Sequence, residues 1–312
     1  MHFKRILACL SALIVLTAVC LIIGKTANHL NENTSTQEEE QKPKAYLTII
    51  DDDGDAHFMS DILPLIQEMN VPIASAVTIN RIGSADRWMD WEDILACQQA
   101  GAEILCHTYY HYTGKQITDI DDETVKKNYV NARDTLKSAG ISGSDFLVYS
   151  SSTGNHQRIQ NVANQVFKCG IKIGGTTTND HQTNPFALSR YRIDYASTEG
   201  RQDWNKEDMR SFIDEVSAKG GWQIWMFHTS NGIWRQRVEV DANNNVIRKD
   251  GAPIPMVDAA GNPVYDIDGT YPTMGSTVYL PMLKEAIRYA QENNVEIITV
   301  KEGYEEFYAT SK

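Results

Sequence analysis

From about residue 45 onward, short apolar runs alternate with amphipathic stretches. The runs at 46–50, 72–79, 102–106, 146–150, 171–175, 189–194, 222–228 and 295–300 have the length and branched or aromatic content of strands. Helix candidates lie between most of them, at 58–69, 91–100, 122–138, 157–169, 206–219 and 278–294. The first gathers Phe58, Ile62, Leu65, Ile66 and Met69 on one face, and Pro64 is expected to bend it. The helix at 206–219 follows Asn205, a residue type that caps helices, and stops at Gly220 and Gly221. Strands that alternate with helices pair in parallel, and the most economical closure is a (β/α) barrel. A doubly wound open sheet is the alternative. No GxGxxG or P-loop pattern follows the first strand, so no nucleotide cofactor is implied. The rhythm breaks once. Turn clusters at 241–245, 249–251 and 259–262 separate extended pieces at 246–248, 254–257 and 263–267, which predicts a β-hairpin insertion over about 236–276. It leaves from the strand that ends in His228, so it is expected to wall or cover that strand end.

The chain starts differently. Ile6 to Ile23 is an apolar run of 18 residues behind Lys4 and Arg5, just long enough at ~1.5 Å per residue to cross a bilayer core. Gly24-Lys25-Thr26-Ala27 is a poor cleavage site, so residues 1–27 are expected to form an uncleaved membrane-anchor helix that leaves the rest outside the cell. Cleavage would instead give a secreted protein. Residues 28–44 are polar, with Glu38, Glu39 and Glu40, and read as a flexible tether. The remaining 45–312 suits one barrel-sized domain. A formal net charge of −12 argues against nucleic acid as a partner and leaves a neutral glycan open. Cys97, Cys106 and Cys169 are an odd number without CxxC spacing, so buried free thiols are expected.

The candidate chemistry gathers at strand ends, which converge on one face of a barrel. Asp51, Asp52 and Asp53 end the first run, His107 and His111 follow the third, and His228 ends the seventh. Two imidazoles and a carboxylate make a three-ligand set that leaves positions open on a divalent metal. An acidic turn and strand-capping histidines would use the same residues without a metal.

The order of these segments resembles the polysaccharide deacetylases, carbohydrate esterase family four. The family's Thr-Phe-Asp-Asp-Gly stands here as Thr48-Ile49-Ile50-Asp51-Asp52-Asp53-Gly54. His-Ser/Thr-x-x-His is met by His107, Thr108 and His111, and the late Leu-x-His becomes Met226-Phe227-His228. The resemblance implies a distorted (β/α)₇ barrel and metal-dependent removal of acetyl groups from N-acetylhexosamine-containing polysaccharide. It also implies Zn²⁺ most readily, with Co²⁺, Ni²⁺ or Fe²⁺ as substitutes. One Asp serves as base, the next binds the metal with the two His, and the late His acts as general acid. With Ile50 in the place of the family's Phe, Asp51 is the base and Asp52 joins His107 and His111 as ligand. The literal Asp-Asp-Gly match makes Asp52 the base and Asp53 the ligand instead.

Two family motifs depart. Arg-x-Pro-x-Gly is Ser150-Ser151-Ser152-Thr153-Gly154 here, so its Arg is missing; Arg190 or Arg192 could supply the charge. The Asp-x-x-Asp-Trp motif is also absent, and Asp194 could support His228 instead. Tyr110 and Trp234 are the aromatic candidates for sugar stacking. The competing readings are a glycan-binding homologue without turnover and a metal hydrolase of another C–N amide bond.

Overall fold

The computed structural model describes residues 43–174, 178–193, 206–229, 236–266, 271–274 and 280–309. The expected anchor at 1–27, nearly all of the tether, Asp194 and Trp234 lie outside the described residues. Among the described residues no helix is long and apolar enough to cross a membrane.

Seven parallel strands close on themselves: β1 (Ala45–Asp53), β2 (Ala74–Val77), β3 (Glu103–Cys106), β4 (Gly143–Val148), β5 (Cys169–Ile173), β6 (Leu188–Arg192) and β7 (Gly221–Phe227). Closure comes from seven aligned pairs between β1 and β7, from Ala45↔Gly221 to Asp51↔Phe227. Helices α1 (Leu63–Met69), α2 (Trp91–Gln99), α3 (Asp122–Ser138), α4 (Gln157–Ala163) and α5 (Lys206–Lys219) occupy the links, with a π-helical turn Phe58–Ile62 leading into α1. The open-sheet alternative is thereby excluded. The insertion holds a small antiparallel pair, β8 (Arg248–Lys249) with β9 (Ala252–Pro253), and further bridges at Val240↔Val246 and Val257↔Pro263, as the turn clusters indicate. After it come α6 (Leu280–Glu292) and β10 (Val295–Ile297), which pairs with the first residues of β1.

Strand parity sorts the apolar side chains into two layers. Tyr46, Ile50, Ala76, Leu105, Phe146, Val148, Ile171, Leu188, Trp222 and Ile224 fill the barrel, while Leu47, Ile49, Ile104, Leu147 and Trp225 face the helices. The expected strand at 295–300 is shorter, because Val300–Tyr304 is a helix, α7, followed by a π-helical turn Glu305–Ala309. The capping box that starts α7 was visible as Thr299-Val300-Lys301-Glu302. These last turns close the amino-terminal end of the barrel. The Trp222 indole donates to Thr48 Oγ1 at 2.9 Å, and the Thr48 hydroxyl donates to the Ile298 carbonyl at 2.8 Å. Buried Glu103 accepts the Val300 and Lys301 N–H groups at 2.6 and 3.0 Å, and burial pushes its carboxyl up to about 7. Gly303 sits so close that a Cβ would fall 2.4 Å from the Trp222 ring.

Candidate active site

The opposite, carboxyl-terminal end carries the expected residues. Thr48, Ile50 and Asp52 share one side of β1, so Asp52 points into the mouth of the barrel. Asp51 has the outward parity of Leu47 and Ile49, and it is fully buried. At Asp53 the strand turns, with φ 81°, and Gly54 continues the turn with φ 75°. A Cβ on Gly54 would lie 3.1 Å from Val77, so a bulkier residue would crowd β2 there.

His107 follows β3 with inward parity, and its Nδ1 donates to the Val148 carbonyl at 2.8 Å. A carbonyl only accepts, so the proton sits on Nδ1 and the Nε2 lone pair faces the mouth. The next residue, Thr108, has φ 74°, an unfavourable value for a β-branched residue. The bend is held by Asn128 of α3, which accepts the Tyr109 and Tyr110 N–H groups at 2.7 and 3.0 Å. The same Asn128 donates to the Tyr110 carbonyl at 3.1 Å. A left-handed residue and an asparagine clamp thus make the turn between the two histidines.

His111 is thus brought back beside His107, with ring centroids 5.1 Å apart. Asp53 Oδ1 lies 3.4 Å from His111 Nε2 and 3.6 Å from His107 Nε2. These three ligand atoms fall within 4.8 Å of one another. The separations exceed hydrogen bonds, and they match neighbouring donors about 2.0–2.2 Å from a shared divalent ion. His107 Nε2 is buried without a hydrogen-bond partner, which a metal would satisfy, and the buried Asp53 Oδ1 is ion-paired with Arg81 at 2.7 Å. Burial, helped by His107, lowers the His111 pKa to about 4, so its ring is neutral and able to ligate above that pH. Burial also works against ionisation of Asp53, but the histidines around it, His107 first, then His228 and His111, hold its carboxyl well below the usual range.

The other two carboxylates have different settings. Asp52 is ion-paired with buried Arg190 of β6, whose second arm donates to the Tyr149 carbonyl at 3.2 Å. Of the two arginines that the sequence offers, Arg190 is thus the one paired with Asp52, whereas Arg192 sits at the end of β6, half-buried. Gly154, which the run retains, is needed for packing: a Cβ there would meet the Tyr149 ring at 2.3 Å. Asp51 accepts from the Thr229 N–H at 2.6 Å and from its hydroxyl at 3.1 Å. Burial pushes its pKa well above the ordinary carboxylate range, with the Thr229 N–H offsetting part of the rise. The carboxylate that meets the two histidines is therefore that of Asp53, which sequence reasoning held in reserve, and Asp52 stands beside them. Its nearest approach to His107 Nε2 is 3.8 Å. His228 follows β7, half-buried, with its charge felt by both Asp51 and Asp53.

Sequence reasoning missed Thr229 and Arg81. Arg81 Nη1 lies 2.7 Å from Asp53 Oδ1, and its guanidinium stacks 4.6 Å from the Trp88 ring centre. Its signal was available, since it follows the end of β2 on the same face. Beside the three ligand atoms opens a pocket of about 350 Å³ lined by Asn80, Arg81, Tyr110, His111, Tyr112 and Gln116. Tyr110 is half exposed there, at 51%.

Residues 37–173 match the family model for polysaccharide deacetylase. Over that span, a little under half of the chain, the sequence is that of a polysaccharide deacetylase by its family match. The matched span holds β1 to β5, and with them the Asp run and both histidines; Arg190, His228 and the insertion lie beyond it. Among solved structures, the carbohydrate esterase four domain of a xylanase from the Trinervitermes trinervoides hindgut metagenome is similar at 11% identity. It covers 84% of this chain and 91% of its own, with a TM-score of 0.49. Peptidoglycan deacetylase PdaC from Bacillus subtilis is similar at 12% identity, covering 86% and 93%, with a TM-score of 0.44. A family 4 carbohydrate esterase from Streptomyces lividans shares 12% identity over 59% and 79%, with a TM-score of 0.37. At such scores these likenesses bear on neither substrate nor mechanism. No curated protein matches the chain.

Proposed function

We propose that this deacetylase domain removes acetyl groups from N-acetylhexosamine-containing polysaccharide with the help of one divalent ion, Zn²⁺ first. The observation that carries the reading is the meeting of Asp53 Oδ1, His107 Nε2 and His111 Nε2 at the barrel mouth, with His107 Nε2 buried and unsatisfied. Those three residues would hold the metal, and the donor set of two imidazoles and one carboxylate suits zinc. When bound, the ion supplies Lewis acidity, polarising the acetyl carbonyl and lowering the pKa of a water.

The chain's own groups do the rest. Asp52, oriented by Arg190, takes the proton of the attacking water on its free oxygen edge. Asp51 is unsuited to that work, since it faces away from the mouth and its burial favours the neutral acid. This assigns the base and ligand as the literal Asp-Asp-Gly register does. His228, at the end of a neighbouring strand, delivers a proton to the sugar nitrogen so that it leaves as an amine. Tyr110 offers an exposed ring for a sugar face. Asp194 and Trp234 keep their proposed supporting and stacking roles from sequence alone. The run Ile6 to Ile23 is proposed as a single-pass anchor that leaves residues 45–312 outside the cell.

Metal analysis of the purified 43–312 chain, with acetate release from chitooligomers and peptidoglycan, tests the reading. We expect one zinc per chain and release that a chelator abolishes. A chain that binds these glycans yet releases no acetate with metal bound would instead be a glycan-binding homologue. Membrane fractionation of the full chain tests the anchor, and a mature amino terminus near residue 27 would refute it.

A further inference from the structure

Arg81 has no part in the steps above, yet its position is tightly determined. The loop after β2 is tied to the histidine loop by Ile79 N–H to the Thr108 carbonyl and Asn80 N–H to the Tyr109 carbonyl, both 3.1 Å. The guanidinium lies on the Trp88 ring, and Trp88 is itself pinned by a backbone bridge to Asp55. Asp53 is the only ion-pair partner that Arg81 has among the described residues. A quarter of its side chain remains exposed, in the pocket it shares with His111, Tyr110 and Gln116.

The charges at the mouth then decide what the pocket favours. Asp52 and Arg190 cancel one another. Asp53 contributes one negative charge, which a divalent ion more than consumes. Arg81 is left as surplus positive charge beside the ligands, on a chain whose net charge is −12. A fixed guanidinium with an exposed edge binds a carboxylate well, because its planar fork is already ordered.

Resting on the deacetylase reading, we propose that Arg81 makes this pocket a subsite for a carboxylate-bearing sugar, so that the preferred substrate is an anionic N-acetylated glycan. Tyr110 receives the ring face, Arg81 the carboxylate, and Gln116 and Asn80 offer amide groups to the hydroxyls.

The test measures binding by calorimetry on the zinc-loaded protein. The probes are neutral tetra-N-acetylchitotetraose and a length-matched peptidoglycan tetrasaccharide whose lactyl ethers carry carboxylates. We expect the parent to prefer the acidic probe about tenfold to a hundredfold, as for a hydrogen bond to a charged group. The preference should shrink as ionic strength rises. Arg81→Gln should bring the ratio of the two affinities near one with zinc content unchanged, and Arg81→Lys should restore part of it. Equal affinities in the parent, or a preference that survives Arg81→Gln, would overturn the subsite while leaving deacetylation standing. Loss of zinc from both variants would make Arg81 a part of the metal centre and also overturn it. A parent that neither binds nor deacetylates either probe would sink the deacetylase reading itself.

Discussion

The two ends of the barrel are built from the same strands, and they treat polar groups in opposite ways. At the closed end, Thr48, Trp222 and Glu103 each have a named partner, and the buried polar atoms of that end are satisfied among the described residues. At the open end, His107 Nε2 is buried without a hydrogen bond, and the buried Asp53 Oδ1 and Arg81 Nη1 face one another as an ion pair without a well-aligned hydrogen bond. Asp53, Thr108 and Ser151 take left-handed backbone at that end, whereas the strand starts at the closed end use asparagine and glycine for it, at Asn70, Asn294, Gly101 and Gly220. A buried polar group without a partner costs about 1–3 kcal/mol, and a strained residue about as much. A fold keeps such costs where a ligand offsets them, so satisfaction marks the structural end and its lack marks the chemical one.

If that contrast is right, substitutions at the two ends should separate cleanly into lost chemistry and lost stability. The largest effect belongs to His107→Ala. We expect it to lose the metal and, with it, ~10⁴-fold or more in acetate release, since a metal supplies several kcal/mol to the transition state. The chain should still fold, its stability, followed by thermal melting, lowered by about 1–3 kcal/mol for the Val148 carbonyl left without its donor. Asp52→Asn and His228→Ala come next, each costing ~10²–10⁴-fold in kcat while zinc content stays at the parent level. Asp51→Asn is the matched control, replacing a buried acid that already favours its neutral form, and should cost less than ~10-fold. A larger loss from Asp51 than from Asp52 would reverse the assignment of base.

At the closed end the signs exchange. Gly303→Ala would drive a Cβ into the Trp222 ring and should destabilise by about 1–3 kcal/mol, with kcat intact. The smallest effect is the pH dependence of Glu103. Its folded pKa is raised to about 7 from an ordinary 4.5, so its stabilising contribution is complete below 4.5 and fades as pH rises through about 7. The difference in unfolding free energy between the parent and Glu103→Gln should therefore shift by on the order of 3 kcal/mol between pH 4 and pH 8. A difference independent of pH would show that Glu103 is not titrating there.

Most of the fold was legible because period and punctuation agree. Each of the eight expected apolar runs holds a strand of the main sheet, and the insertion announced itself through its turn residues. The short α7 was hidden because Ile297, Ile298 and Val300 continue an apolar run, although Thr299 and Glu302 spelled its cap. In the site, the histidine pair and the late histidine were visible as spacing. The choice among the three aspartates was not, because it depends on which way β1 faces. Counting parity from the buried Tyr46 and Ile50 would have turned Asp52 inward and Asp51 outward. Arg190 could be named as a candidate but not chosen over Arg192, since that choice needs the register of β6 against β1.

One bond has a consequence for how this chain reaches its native state. The Thr229 N–H that caps Asp51 joins residues 178 positions apart, and the β1–β7 ladder behind it closes the barrel. Strand β1, apolar but for Thr48 from Leu47 to Ile50, is made early and must wait for β7 before its second edge is covered. Contacts so distant in sequence slow folding and leave an adhesive strand exposed in the meantime. A nascent chain that stops short of residue 221 therefore presents a sticky, half-paired β1, and barrel closure should be the late, rate-limiting event of refolding.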